Sequence, residues 1–155
     1  MEQLIADYAR GYDAVVRAIE GLDEEALSFK PSPRAWSIKE IVIHLADTEV
    51  VVIHRMKSVI AENKPPLPAF DQDAWADRLN YREQDYKQHL ALFKLLRESF
   101  VPVLRRLKAE DWERTGVHSE KGEVTLKELL RSYTEHVFVH IRQIERNKAA
   151  YAARS

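Results

Sequence analysis

His136 and His140 stand four residues apart in the segment Tyr133-Thr134-Glu135-His136-Val137-Phe138-Val139-His140-Ile141. On an α-helix, four residues advance about 6 Å and turn about 400°, so both imidazoles would lie on one face and could share one ion. Six histidines in 155 residues produce such a pair by chance roughly one time in five. Spacing alone therefore decides nothing, and the surroundings must. Leu126, Leu130, Tyr133, Val137, Ile141 and Ile144 recur at three- and four-residue intervals, and the pair falls on or beside that apolar stripe. A third histidine, His44, sits inside Ile41-Val42-Ile43-His44-Leu45-Ala46, the most apolar part of another helical segment. Buried polar groups need partners, and three inward imidazoles would find one in a common cation. The plainer alternative is that His44 is a hydrogen-bonded core residue and the pair a surface feature. His54, His89 and His118 read as ordinary surface or loop residues.

Three protein ligands would leave coordination positions for water or substrate, the arrangement of a catalytic rather than a structural ion. Such an ion lowers the pKa of bound water, or of an incoming thiol, toward neutrality. The nucleophile would then be that water or thiol, with no side chain assigned to the role. Histidine and water suit nickel, zinc, iron and manganese alike. The residue after His136 is Val137, where HExxH peptidases carry their general-base glutamate. No Gly-x-Ser-x-Gly or Ser–His–Asp pattern is visible either. Asp47 and Arg55 share the His44 face, and Tyr133 and Gln143 flank the pair; Asp47 could orient an imidazole and Arg55 could hold a substrate carboxylate. Trp75 could wall the pocket. For each of these, an ordinary packing or ion-pair role is the competing reading.

These side chains need helices to position them. Glu2 to Glu20 carries Leu4, Ile5, Tyr8, Tyr12, Val15, Val16 and Ile19 at helical spacing, with Gly21 as its stop. A short turn at Asp23 to Leu27 leads to Pro31 and Pro33. The second helix opens with a capping box, Ser37 and Glu40, and a staple of Trp36 on Ile41; it is predicted to reach about Ala61. A proline-rich loop (Pro65, Pro66, Pro68) and a short helix from Asp71 follow. The third helix is predicted over Glu83 to Lys108, with a kink or break at Pro102. A polar excursion, Gly116 to Glu123, precedes the last helix. Thr125 and Glu128 cap that helix, Val124 and Leu129 staple it, and it is predicted to end near Asn147 with a frayed tail. Four apolar stripes without alternating strand patterns predict an all-α four-helix bundle, one domain spanning 1–155.

Composition sets the limits. The chain is 45% hydrophobic and 32% charged, the balance of a globular protein. Its 24 basic and 25 acidic residues nearly cancel and form no basic block, which argues against nucleic-acid binding. No apolar run approaches the roughly 20 residues of a membrane span. The first residues lack a secretory pattern, so a cytoplasmic setting is expected; the small-molecule substrate also expected belongs to the metal site. With no cysteine, thiolate ligands and a protein thiol nucleophile are excluded.

The segment from Trp36 to Glu49, Trp-Ser-Ile-Lys-Glu-Ile-Val-Ile-His-Leu-Ala-Asp-Thr-Glu, resembles the second-helix signature of the DinB superfamily. Glu135 to Ile144 resembles its last helix. Pro68-Ala69-Phe70-Asp71-Gln72-Asp73-Ala74-Trp75 is similar to the loop after helix two in the YfiT-like branch. The resemblance runs from Ser28 onward. It implies an up-down-down-up bundle, commonly dimeric, whose three matching histidines (His44, His136 and His140) bind nickel, zinc or a similar ion. It further implies a metal-dependent hydrolase or an S-transferase using bacillithiol, related branches using mycothiol or glutathione. A non-catalytic metal-binding stress-response bundle and a plain helical interaction protein are the competing readings.

Overall fold

The computed structural model describes residues 1–154; Ser155, the last residue of the expected domain, lies outside them. The first predicted helix is interrupted. It forms α1 (Glu2–Ala9) and α2 (Gly11–Ile19). At the break the buried Arg97 guanidinium donates to the Tyr8 carbonyl at 2.5 Å, competing for an oxygen that a continuous helix would use internally. After α3 (Glu24–Ser28), helix α4 covers Ile38–Ala61. Its capping box forms as predicted, the Ser37 hydroxyl accepting from the Glu40 N–H and the Glu40 carboxylate from the Ser37 N–H, both at 3.2 Å.

Helix α5 (Gln72–Arg78), capped by Asp71, and a 3₁₀ turn at Tyr81–Glu83 precede α6 (Tyr86–Arg105). Of the expected kink or break at Pro102 there is no break: the helix passes through it and closes three residues later. Pro102 is exposed, so the carbonyl it leaves unpaired faces water. Helix α7 (Leu126–Ala152) opens on the predicted Thr125–Glu128 box and outruns its predicted end. The expected frayed tail is held instead, Tyr151 packing edge-on against Phe29 at 5.4 Å and Lys148 donating to the Ala18 carbonyl at 3.0 Å.

Two core clusters reveal the sense of the helices. One joins Ile5 and Tyr8 of α1, Val52 to Val59 of α4, Phe100 and Leu104 of α6, and Leu126 to Leu130 of α7. The other joins Val15 and Ala18 of α2, Ile38 to Ala46 of α4, Phe93 of α6, and Val137 and Ile144 of α7. The first and last helices thus run one way and α4 and α6 the other. Because α4 and α6 are parallel, residues 62–85 must travel back the length of a 24-residue helix, about 36 Å. They end at the start of α4, where Ala76 and the fully buried Tyr81 pack on Ile43.

The all-α expectation needs correcting, because a small sheet closes the other end. The predicted polar excursion is an antiparallel hairpin, β2 (Thr115–His118) and β3 (Gly122–Thr125), with Gly116 opposite Val124. The proline loop adds β1 (Pro66–Leu67) in parallel, Leu67 opposite His118. Strands of two and four residues are too short to show a period of two in sequence. Among the described residues no helix is long and apolar enough to cross a membrane.

Candidate metal centre

Each capping box sets the phase of a histidine-bearing helix. With Ser37 as N-cap, His44 is the seventh residue of α4 and faces the bundle interior, 1% exposed. With Thr125 as N-cap, His136 and His140 fall on the stripe of α7 that meets α4. The three rings converge. His44 Nε2 lies 3.1 Å from His140 Nε2, which lies 2.9 Å from His136 Nε2, and all three offer nitrogens within 4.8 Å of one another. Nitrogens bound to one ion at about 2.1 Å are themselves roughly 3 to 3.5 Å apart. The donor set therefore fits a divalent cation.

Protonation agrees. Burial, then the neighbouring imidazoles, pushes the His44 pKa down to about 3. Burial and His140 push His136 down to about 4, and burial lowers His140 as well. All three rings are neutral near pH 7, the form that donates a lone pair to a metal. Gln143 Oε1 lies 2.8 Å from His140 Nδ1. As an acceptor it holds the proton on Nδ1 and directs the bare Nε2 into the cluster. Thr48 Oγ1 lies 3.4 Å from His44.

The remaining residues singled out in the sequence divide. Gln143, read as flanking the pair, is beside the His140 imidazole. Asp47 is not: its carboxylate accepts from the Tyr81 hydroxyl at 2.5 Å, which gives the fully buried phenol the acceptor it needs. Trp75 lies tilted against Phe70, ring centroids 4.6 Å apart, and packs against the satellite cluster of Ile43, Ala76 and Tyr81. It is a packing residue at the end of the return connection, not a wall of the imidazoles. Arg55 is buried, donating to the Pro68 carbonyl at 2.5 Å and to the Tyr133 hydroxyl at 3.4 Å.

Sequence reasoning missed three features. Trp36, read as a staple, also walls the cluster, its ring 4.7 Å from His44 and stacked 6.5 Å from His140; its carbonyl is held by Asn147 at 2.8 Å. His118, read as a loop residue, is 8% exposed, since alternation along β2 turns Gly116 and His118 inward. A buried ion pair, Glu49 with Arg97 at 3.1 Å, links α4 to α6, and the Tyr8 hydroxyl donates to the same carboxylate. The one signal for it in α4 was a charged residue, Glu49, next to the apolar run Val50 to Ile53, and its partner lies 48 residues away.

The DinB superfamily profile matches residues 7–144. A protein of Oceanobacillus iheyensis, provisionally named metal-dependent hydrolase OB0782, is 28% identical over 123 residues, 79% of this chain and 71% of its own. YfiT of Bacillus subtilis, with the same provisional name, is 27% identical over 129 residues, 83% of this chain and 72% of that one. A solved structure of YfiT, described as a probable metal-dependent hydrolase with an unusual four-helix bundle topology, matches at TM-score 0.90 and 24% identity. It covers 97% of this chain and 87% of that one. That likeness establishes the shared bundle.

Proposed function

Because this chain belongs to the DinB superfamily, we propose that it is a metal-dependent enzyme in which His44, His136 and His140 hold one divalent ion, nickel or zinc, and act on a small molecule. The observation that carries this reading is the convergence of three neutral imidazole nitrogens from two helices that meet only in the folded chain. An ion held there would acidify a nucleophile and polarise the group it attacks. The chain's own part is to place and dry that site. Gln143 holds the His140 tautomer, Thr48 sits against His44, and Trp36 shields one side from water.

The provisional names of the relatives favour hydrolysis, with water as nucleophile. One observation favours a thiol instead. The converging group contains no carboxylate, and the nearby acids are engaged, Asp47 by Tyr81 and Glu49 by Tyr8 and Arg97. A site without a free general base ionises a thiol, of pKa about 8.5, more readily than water. The chain has no cysteine, so that thiol would come from solution as a low-molecular-weight cosubstrate.

Elemental analysis of untagged protein is the first test, and close to one divalent ion per chain is expected. His44→Ala should lose most of that ion while keeping its helical circular dichroism; full stoichiometry in this variant would overturn the assignment. Esters, amides and electrophiles assayed with and without bacillithiol, mycothiol and glutathione then separate the two chemistries. Turnover without thiol supports hydrolysis, and strictly thiol-dependent conjugation supports transfer. Neither, in metal-replete protein, would leave a metal-binding bundle without catalysis.

A further inference from the structure

A cleft of about 310 Å³ opens between the β2–β3 hairpin and the faces of α4 and α7, lined by Arg55, His118, Lys121, Ser132 and Tyr133 among others. Its polar groups are mostly donors. Arg55 is 7% exposed, yet no carboxylate pairs with it among the described residues; it is bound only to a carbonyl and a hydroxyl, and its Nε has no partner. A buried cation without a counter-charge is costly, so an anion arriving from outside would meet an unfilled requirement. His118 Nδ1 accepts the backbone N–H groups of Glu120 and Lys121 at 3.1 and 3.2 Å. Its proton must then sit on Nε2, making that atom a donor. The Tyr133 hydroxyl accepts from Arg55, which leaves its own O–H to donate. Lys121 is exposed at the rim.

The two acids of the cleft are occupied. Glu123 pairs with Lys64 at 3.1 Å and accepts from Thr115 at 2.9 Å, and Glu128 accepts the Thr125 N–H at 2.8 Å. Position matters as much as charge. Ser132 precedes His136 by four residues on α7, one turn or about 6 Å along the axis, and Arg55 lies three turns beyond His44 on the same side of α4.

We propose that this cleft is an anion subsite that grips a carboxylate or phosphate of the substrate while the reacting part of the molecule reaches the three imidazoles. The proposal rests on the metal reading for its functional meaning but not for its test. Calorimetric titration of metal-stripped protein with inorganic phosphate and with succinate should show saturable binding of at least one. A preference for succinate would assign a carboxylate substrate, and a preference for phosphate a phosphorylated one. Lys121→Glu, at an exposed turn, should fold normally and weaken binding at least tenfold, as should Arg55→Gln if its circular dichroism is unchanged. Lys121→Glu alone decides if Arg55→Gln does not fold. The same Lys121→Glu protein should keep its metal stoichiometry, and His44→Ala should keep anion binding while losing metal. No saturable binding of either anion, equal affinity in Lys121→Glu, or loss of anion binding in His44→Ala would overturn the subsite. Retained metal in His44→Ala would count against the metal reading alone.

Discussion

Gln143 is a neutral side chain, yet it determines which nitrogen of His140 is available. Removing it leaves the Nδ1 proton without its acceptor, and the ring is then free to rotate or change tautomer. Loss of such a supporting hydrogen bond typically costs 10- to 100-fold in metal affinity. Gln143→Ala should therefore weaken zinc or nickel binding by roughly that factor in a chelator competition, with stoichiometry still attainable at high metal; unchanged affinity would remove Gln143 from the site. The imidazoles also make an expectation about acidity. In the unfolded chain each titrates near 6.5, whereas burial holds His44 down to about 3 and His136 to about 4 in the fold. Between those values the unfolded chain binds more protons, so stability falls as pH falls. The stability is fully present above about 6.5 and is lost progressively toward about 3. Thermal melts of chelator-treated protein should shift down between pH 7 and pH 5. A constant melting temperature over that range would mean the rings are more solvated than the fold implies.

At the scale of elements, the sheet is the feature most open to test. Gly116 lies in β2 where a Cβ would meet Leu67 Cδ1 at 2.7 Å and Val59 Cγ2 at 2.9 Å. Here the requirement is space, because β1, β2 and the end of α4 approach too closely for a methyl group. Overpacking of this kind costs about 1–3 kcal/mol. Gly116→Ala should lower stability by that amount in urea unfolding, whereas an exposed change such as Val117→Thr on the other face of the strand should do little. An equal effect of the two would show that the hairpin is not docked on α4. Arg114 supports the same junction, reaching the Val59 and Glu62 carbonyls at 2.8 and 2.7 Å. Through it the Val59 carbonyl in the last turn of α4 and the carbonyl of its C-cap, Glu62, gain a donor although no basic residue stands in that helix's final turn.

At the scale of the whole molecule, Glu49 and Arg97 tie the parallel pair α4 and α6 to each other and to Tyr8 of α1. The guanidinium lies 4.0 Å over the Tyr8 ring and 4.7 Å over the Phe93 ring, so packing and charge act on one group. Removing one partner of a buried pair strands the other, at about 3–5 kcal/mol. Arg97→Met or Glu49→Leu alone should each cost that much in chemical denaturation. The double variant should be less destabilised than the sum, because neither charge is then left alone. Strict additivity would show that the two residues act independently.

Much of the site was legible before folding, because its information is local. The i, i+4 histidines, the Ser37–Glu40 and Thr125–Glu128 boxes and the apolar stripes all depend on residues within one or two helical turns, and together they determine the facing of each imidazole. What lay beyond the sequence is what depends on contacts between distant segments. Arg97 interrupting the first helix, Tyr81 claiming Asp47, and β1 finding β2 are each settled by a partner tens of residues away. Helical periodicity announces which side of an element is buried. Only the assembled bundle decides which polar groups find each other there, since hydrogen bonds and charges act over a few ångströms and carry no signature along the chain.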